Sequence, residues 1–319
     1  MKVPNDPDSE FTRQSDAEPR MRGKSDAGEG AGIALALGGG FSRGFAHLGV
    51  LEVLEQEQIP ISCIVGTSIG GLLGAAYSDG ISIHQLCELG RQVRVRDFIR
   101  FHRSAKVPRN SGGPQLEPVP CDRIGQFVRV WLRANRVEEL PIRTAIVTTD
   151  LETGAPYVFT RGPLDVAIRA SCAFPGLFQP VEYDGRWLAD GCIVAPVPTA
   201  VAARMNCACV VGVAVGPNHK NSSSSDNVLQ VRNPDGSGAQ GSALTPSWIR
   251  EADILLEPEV NQIDWTDFSR VDEAYDAGVD AMRRAVPRLR ELLALRCQMR
   301  FHQGTSGQHQ REAQTGPAL

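Results

Sequence analysis

The feature that most constrains the fold is a short β-branched run, Ile61 to Val65, that feeds without a linker into Gly66-Thr67-Ser68-Ile69-Gly70. A short apolar run bounded by glycine reads as a buried core strand. The residues beyond it, Gly71 to Tyr77, are small and apolar, as in a helix packed closely against a sheet. A strand must therefore bend sharply into a helix, with a serine at the bend. The same order occurs upstream, where Ile33-Ala34-Leu35-Ala36-Leu37 closes at Gly38-Gly39-Gly40. Apolar positions Phe45, Leu48, Val50, Leu51 and Leu54 then recur at helical spacing until Ile59-Pro60 stops them. Strand, turn and helix in repetition are the rhythm of an α/β fold with a largely parallel sheet.

Further along, Ile81 to Leu89 and Leu164 to Ser171 predict helices, and Arg143 to Thr149, Pro156 to Thr160, Val210 to Val215 and Ala252 to Leu256 predict strands or core segments. A closing helix is expected from about Phe268 to Leu295, interrupted near Pro287. These elements fit one domain over 31–296. Residues 1–30 are polar and poor in large apolar side chains and read as a disordered leader. A Ser, Asn and Gly-rich segment over about 217–247 reads as a flexible insertion, Pro108 to Pro120 as a loop, and 297–319 as a polar C-terminal tail.

The 319 residues carry a net charge of -4 with both signs intermixed, which gives no global field for nucleic acid. The basic stretch Arg91 to Arg109 alternates with Val93, Val95, Phe98, Ile99 and Phe101. It fits peripheral contact with an anionic membrane surface, or simply a solvated helix face and loop. The eight cysteines show no paired CxxC spacing, and no ligand cluster suggests a metal. No apolar stretch approaches bilayer length. Without a signal peptide the chain is expected in the reducing cytoplasm, with any membrane contact peripheral.

Gly66-Thr67-Ser68-Ile69-Gly70 fits G-x-S-x-G, placed after a buried strand and before a small-residue helix, where a nucleophile elbow belongs. Gly66 and Gly70 suit so sharp a turn because it leaves no room for side chains beside the nucleophile. Ser68 would project its hydroxyl into the cleft at the carboxyl end of the sheet, above a helix N-terminus that favours negative charge. Attack on an ester carbonyl also needs donors for the oxyanion. The loop Gly38-Gly39-Gly40-Phe41-Ser42-Arg43-Gly44 offers consecutive backbone N–H groups at a helix start. A dinucleotide fingerprint would want glycine where Arg43 stands, and no Gly-Lys-Ser/Thr ending marks a P-loop. A glycine-rich turn with no ligand is the plain alternative.

A serine needs a base, usually histidine held by a carboxylate. None of His47, His84, His102, His219, His302 and His309 has the context of a triad, and packing is the expected role of His47 inside the first helix. A carboxylate could act directly. Asp190-Gly191 lies in an expected compact turn after Trp187-Leu188, with apolar residues on both sides. An exposed aspartate, with a pKa of about 4, is a feeble base at neutral pH, so burial or a like charge must raise it. An ordinary turn aspartate has the same spacing.

Taken together, three ordered motifs resemble the patatin-like phospholipases, especially their compact bacterial members: Gly38 to Gly44, Gly66 to Gly70, and Asp190-Gly191-Cys192. The stretches Arg43 to Gly49, Thr149 to Gly154 and Arg169 to Gly176 are similar to the family too. The likeness spans about Ile33 to Gly216, with a weaker echo from Ala252 to Leu293. It implies a three-layer α/β/α sandwich with a mainly parallel central sheet, a Ser-Asp dyad without histidine, and hydrolysis of fatty acyl esters through an acyl-enzyme without a cofactor. Carried over by position, Ser68 is the nucleophile, Asp190 the proton acceptor, and backbone N–H groups around Gly39, Gly40 and Phe41 hold the oxyanion. Arg43 matches the family's basic residue and is expected to brace the loop. The chain departs from the pattern at Phe41, where many relatives carry glycine, and at Cys192, which replaces glycine or alanine.

The expected function is therefore that of a lipid acyl hydrolase of phospholipase or lysophospholipase type, with a lipid ester as substrate. A lipid-binding regulator without turnover and an acyltransferase on the same scaffold are the alternatives.

Overall fold

The computed structural model describes residues 32–94, 120–216 and 251–314. The expected leader, the insertion, the loop as far as residue 119, and the basic stretch beyond Arg94 lie outside the described residues. Of that stretch, Arg91 is committed to carboxylates, bonding Asp272 at 2.5 Å and Glu88 as well.

The two strand-turn-helix units form as their apolar runs predict. Strand β1 (Ile33–Leu37) leads through a glycine loop and a 3-10 turn to helix α1 (Ala46–Gln56), and β2 (Ile61–Thr67) leads through Ser68 to α2 (Ile69–Ser78). Helix α3 (Ile83–Gln92) follows, started by a Ser82/Gln85 capping box. Then come α4 (Asp122–Trp131), β3 (Arg143–Asp150), β4 (Pro156–Phe159), α5 (Leu164–Ser171), β5 (Val181–Tyr183), β6 (Arg186–Asp190), α6 (Thr199–Ala203), β7 (Cys209–Val213), β8 (Ile254–Leu256) and α7 (Val271–Gln314).

These strands make one eight-stranded sheet in the order β5-β6-β3-β2-β1-β7-β8, with β4 also paired to β3. Strands β3, β2, β1, β7 and β8 run parallel, whereas β4, β5 and β6 pair antiparallel. The central strands are buried on both faces, as parallel strands covered by helices must be. Alternation sorts their side chains by size. Ile33, Leu35, Leu37, Ile64, Ile146, Val211 and Val213 pack in one core with Leu48, Leu51, Leu73, Met282 and Leu289 of the helices. Ala34, Ala36, Cys63, Val65, Ala145 and Val147 face a thinner layer with Val197 and Ala202. The result is the expected α/β/α sandwich around a mixed, mostly parallel sheet.

Pairing along β3 decides where the site can form. Ile146 and Val147 pair with Gly66 and Thr67 of β2 on one edge and with Phe159 and Val158 of β4 on the other. Thr148 and Thr149 keep partners in β4 but take Asp190 and Ala189 of β6 on the remaining edge. A strand has only two hydrogen-bonding edges, so β6 occupies the edge that β2 vacates at Thr67. Strands β2 and β6 therefore meet end to end, with Thr67 and Asp190 opposite neighbouring residues of β3.

Three expectations need correction. Asp190 is the last residue of β6 rather than part of a compact turn, because β5 and β6 form a hairpin through Asp184-Gly185. Both loop residues have positive φ, 51° and 71°, as the two-residue turn that matches strand twist requires. Second, α4 was not anticipated. Third, α7 neither breaks at Pro287 nor ends near Leu295 but runs to Gln314, so the expected polar tail over 297–319 is helical as far as residue 314. Met282 and Leu289, on either side of the proline, are fully buried, and this packing outweighs the local breaker. Once nucleated, the helix propagates through the polar residues beyond. At its other end, α7 crosses α1 backbone to backbone: a Cβ on Gly278 would lie 1.9 Å from Ala46 O, and one on Gly49 2.0 Å from Tyr275 O. No helix among the described residues is long and apolar enough to cross a membrane.

Candidate active site

Ser68 stands where β2 gives way to α2, with φ 54° and ψ -125°. Non-glycine residues rarely adopt this backbone, and its neighbours hold it there. A Cβ on Gly66 would come within 2.4 Å of Gly71 Cα, and one on Gly70 within 2.3 Å of Leu37 O. Neither backbone atom can swing aside as a flexible side chain could. The Ser68 amide donates to Ser171 Oγ at 2.8 Å, and the Ser171 hydroxyl donates in turn to Val147 O at 2.6 Å. Fully buried Ser171, at the end of α5, thus ties the elbow to β3.

Asp190 reaches the same place from the opposite direction. Its amide donates to Ala173 O at 3.0 Å, and its carbonyl accepts from Thr149 Oγ1 at 2.8 Å. Gly191 must follow, since a Cβ there would lie 2.3 Å from Val147 O. Carboxylate Oδ1 accepts from the Cys192 amide at 2.8 Å, whereas Oδ2 is buried without a hydrogen-bond partner. Burial pushes the carboxyl up to about 6, against the opposing influence of the Cys192 amide and the Ser68 hydroxyl. Ser68 is close enough to favour the ionised carboxylate without a fully formed bond to Oδ2. Such contacts are commonly long or bent before substrate binds.

The glycine loop divides its amides between structure and site. Gly38 N–H donates to Val213 O at 3.1 Å and Gly39 N–H to Pro196 O at 3.0 Å, so the expected contribution of Gly39 to an oxyanion hole is withdrawn. Ser42 N–H goes to Trp265 O and Arg43 N–H to Gly40 O. The amides of Gly40 and Phe41 have no backbone acceptor among the described residues. Phe41 adopts φ 50°, the left-handed backbone that suits glycine, and its ring is held edge-on between Phe174 and Trp265 at 5.9 and 4.9 Å. Arg43 braces the loop, donating from Nε to Ile263 O at 2.7 Å and from Nη2 to Asn261 O at 3.4 Å. Gly44 lies against Ile69, where a Cβ would be 2.4 Å from Cγ2.

Cys192 also has a steric role. A Cβ on Gly39 would meet its sulfur at 2.1 Å and Ser68 Cβ at 3.2 Å. The thiol occupies the space beside Gly39, and burial together with the Asp190 carboxylate raises it well above its ordinary range. It is therefore a neutral packing group at neutral pH.

Neither His47 nor His84 serves Ser68. His47 is fully buried, and its Nε2 lies 2.7 Å from Gly38 O; a carbonyl only accepts, so Nε2 carries the proton. Burial lowers its pKa to about 4. His47 is a neutral prop beneath the glycine loop, in line with the packing role expected from its helix. His84 is exposed beside Glu88. His102 and His219 fall outside the described residues. Among the described residues, no group of three or more His, Cys, Asp or Glu side chains could hold a metal.

The structure thus brings the elbow, the glycine loop and the Asp190-Gly191-Cys192 segment together at the carboxyl end of the central strands. Ser171 was missed as a site residue by sequence reasoning; its only signal was membership of the Arg169 to Gly176 stretch. A buried serine, a partnerless carboxylate oxygen and amides without a backbone acceptor thus meet at one end of the sheet of an α/β fold.

Comparison with known proteins narrows the class. The family model for patatin-like phospholipase matches residues 35–203, more than half of the chain, and the chain belongs to that family. An NTE family protein of Mycobacterium tuberculosis is 36% identical over 196 residues, covering 61% of this chain and 51% of its own. Human patatin-like phospholipase domain-containing protein 6 is 26% identical over 84% of this chain and 21% of its own length. Lysophospholipase NTE1 of Saccharomyces cerevisiae is 25% identical over 79% of this chain and 16% of its own. The chain thus spans about half of the first of these relatives and about a fifth or less of the other two.

Proposed function

We propose that the chain is a lipid acyl hydrolase, of phospholipase or lysophospholipase type, in which Ser68 and Asp190 act as a dyad. Family membership and the name of the yeast relative support the substrate class. The observation that carries the mechanism is the buried Oδ2 of Asp190, which has no partner and belongs to a strand meeting the Ser68 elbow end to end.

In this reading the Asp190 carboxylate accepts the Ser68 proton as the serine oxygen attacks the ester carbonyl. The amides of Gly40 and Phe41 receive the oxyanion, and the N-terminus of α2 adds favourable potential. Asp190 returns the proton to the departing alkoxide, leaving an acyl-serine. Water, deprotonated by the same carboxylate, then releases the fatty acid. A carboxyl near 6 is ionised at neutral pH yet basic enough to take a proton, which an exposed aspartate is not.

The test is release of p-nitrophenol from short and medium acyl esters, followed by fatty acid release from lysophospholipid, by the full chain and by Ser68→Ala. The expected result is turnover that disappears in the variant while its melting temperature is preserved. Equal rates in both proteins would overturn the assignment of Ser68.

A further inference from the structure

A second pair of reactive groups lies at the other end of the sheet. Cys63 is the third residue of β2, about 16 Å along the strand from Ser68 at roughly 3.3 Å per residue. Its sulfur lies 3.3 Å from that of Cys207, which precedes β7. The next residue, Ala208, donates its amide to Gly32 O at 2.9 Å and so fixes the segment against the end of β1. The two thiols differ in surroundings. Cys63 is fully buried, whereas Cys207 is partly exposed. Arg143 Nη2 stands 3.6 Å from the Cys207 sulfur and is held there by the carbonyl of Met205. Its partial exposure makes Cys207 the sulfur of the pair that a peroxide can reach. The hydrogen bond to Cys207, reinforced by burial, raises the Cys63 thiol and keeps it protonated. Closing the gap from 3.3 Å to the roughly 2 Å of a disulfide calls for a short side-chain movement.

We infer that Cys63 and Cys207 form a redox-active pair, a modification site in which Cys207 reacts with a hydroperoxide and Cys63 resolves the product into a disulfide. The Cys207 thiolate attacks one peroxide oxygen, the O–O bond breaks, and the departing hydroxide takes a proton to leave as water. Cys207 is then a sulfenic acid. The Cys63 sulfur attacks it, losing its proton, and the sulfenic hydroxyl leaves as a second water. Two thiols are oxidised and one peroxide is reduced. The new bond clips β2 to the segment entering β7 across the intervening β1, far from the Ser68 elbow. The inference is independent of the hydrolase proposal.

The test treats the full chain with stoichiometric hydrogen peroxide, blocks remaining thiols with N-ethylmaleimide under denaturing conditions, and maps non-reduced peptides by mass spectrometry. The expected product is a cross-linked Cys63–Cys207 peptide pair, lighter by two hydrogens than its parts and released by dithiothreitol. In Cys63→Ser, Cys207 should accumulate a sulfenic acid that dimedone traps. In Cys207→Ser, Cys63 should remain open to alkylation. Oxidation should raise the melting temperature of the unsubstituted chain reversibly and leave that of Cys207→Ser unchanged. Full alkylation of both cysteines while exposed Cys297 is oxidised would overturn the inference, as would Cys207 sulfinic acid beside a reduced Cys63.

Discussion

Replacing Asp190 with asparagine separates two consequences of burying its carboxyl. The side chain is fully buried, and its pKa stands at about 6 against 3.8 for an ordinary aspartate. A raised carboxyl favours the protonated native state: its effect on stability is neutral below about pH 4, where both states are protonated. Stability is then lost as pH rises through the folded value. About two pKa units correspond to ~3 kcal/mol of destabilisation above pH 6, at 1.36 kcal/mol per unit. Asparagine carries no charge to desolvate. Its oxygen can still accept from the Cys192 amide, and its amide group would take the place of the partnerless Oδ2. Asp190→Asn should therefore abolish ester hydrolysis and yet be more stable than the unsubstituted chain at pH 7.5, by about 1–3 kcal/mol. For a domain of this size that is about 2–4 °C in melting temperature per kcal/mol. Thermal unfolding of both proteins at pH 4 and pH 7.5 is the assay, with circular dichroism at the lower pH to establish that both start folded. The melting temperatures should nearly coincide at pH 4 and diverge at pH 7.5. A variant less stable at pH 7.5, or a difference independent of pH, would refute the claim that Asp190 is held ionised against its burial.

The pH profile of kcat/KM for ester hydrolysis should fall as pH drops through about 6, because protonation of Asp190 removes the base; a rate unchanged between pH 7.5 and pH 5 would exclude it. Ser171→Ala should cost about 1–3 kcal/mol by stranding the Ser68 amide and the Val147 carbonyl. Urea unfolding measures that loss, and kcat should fall with KM little changed, since the elbow loses its anchor. Gly70→Ala should destabilise by at least about 1–3 kcal/mol, because its Cβ would meet a backbone carbonyl at 2.3 Å; an unaltered melting temperature would show that the elbow can relax.

Much of this fold was legible because its signals are local. The apolar runs of β1 and β2 are short, bounded by glycine, and followed by helix-spaced residues, so both units could be placed from the chain alone. Leu164 to Ser171 was placed at its observed bounds. The hairpin that delivers Asp190 left a local trace in Asp184-Gly185, yet its strands are only 3 and 5 residues long, too short for clear alternation. Helix α7 was misjudged for the opposite reason: Pro287 is a strong local signal, and the packing that overrides it is not local at all.

Chemistry divides along the same line. Sequence by itself determined the α/β class, the serine at a glycine-flanked bend, the loop able to offer amides, and Asp190 as a candidate carboxylate, though not its place at the end of a strand. Which loop amides are spare was a tertiary matter, because Gly39 is engaged by Pro196, far along the chain. So was the role of His47, whose tautomer and neutrality follow from burial and from Gly38 O. The meeting of β2 and β6 on one edge of β3 depends on strand order, which no local spacing encodes. That meeting places a carboxylate beside the Ser68 elbow and removes it from water, and desolvation is what lifts its pKa toward that of a useful base.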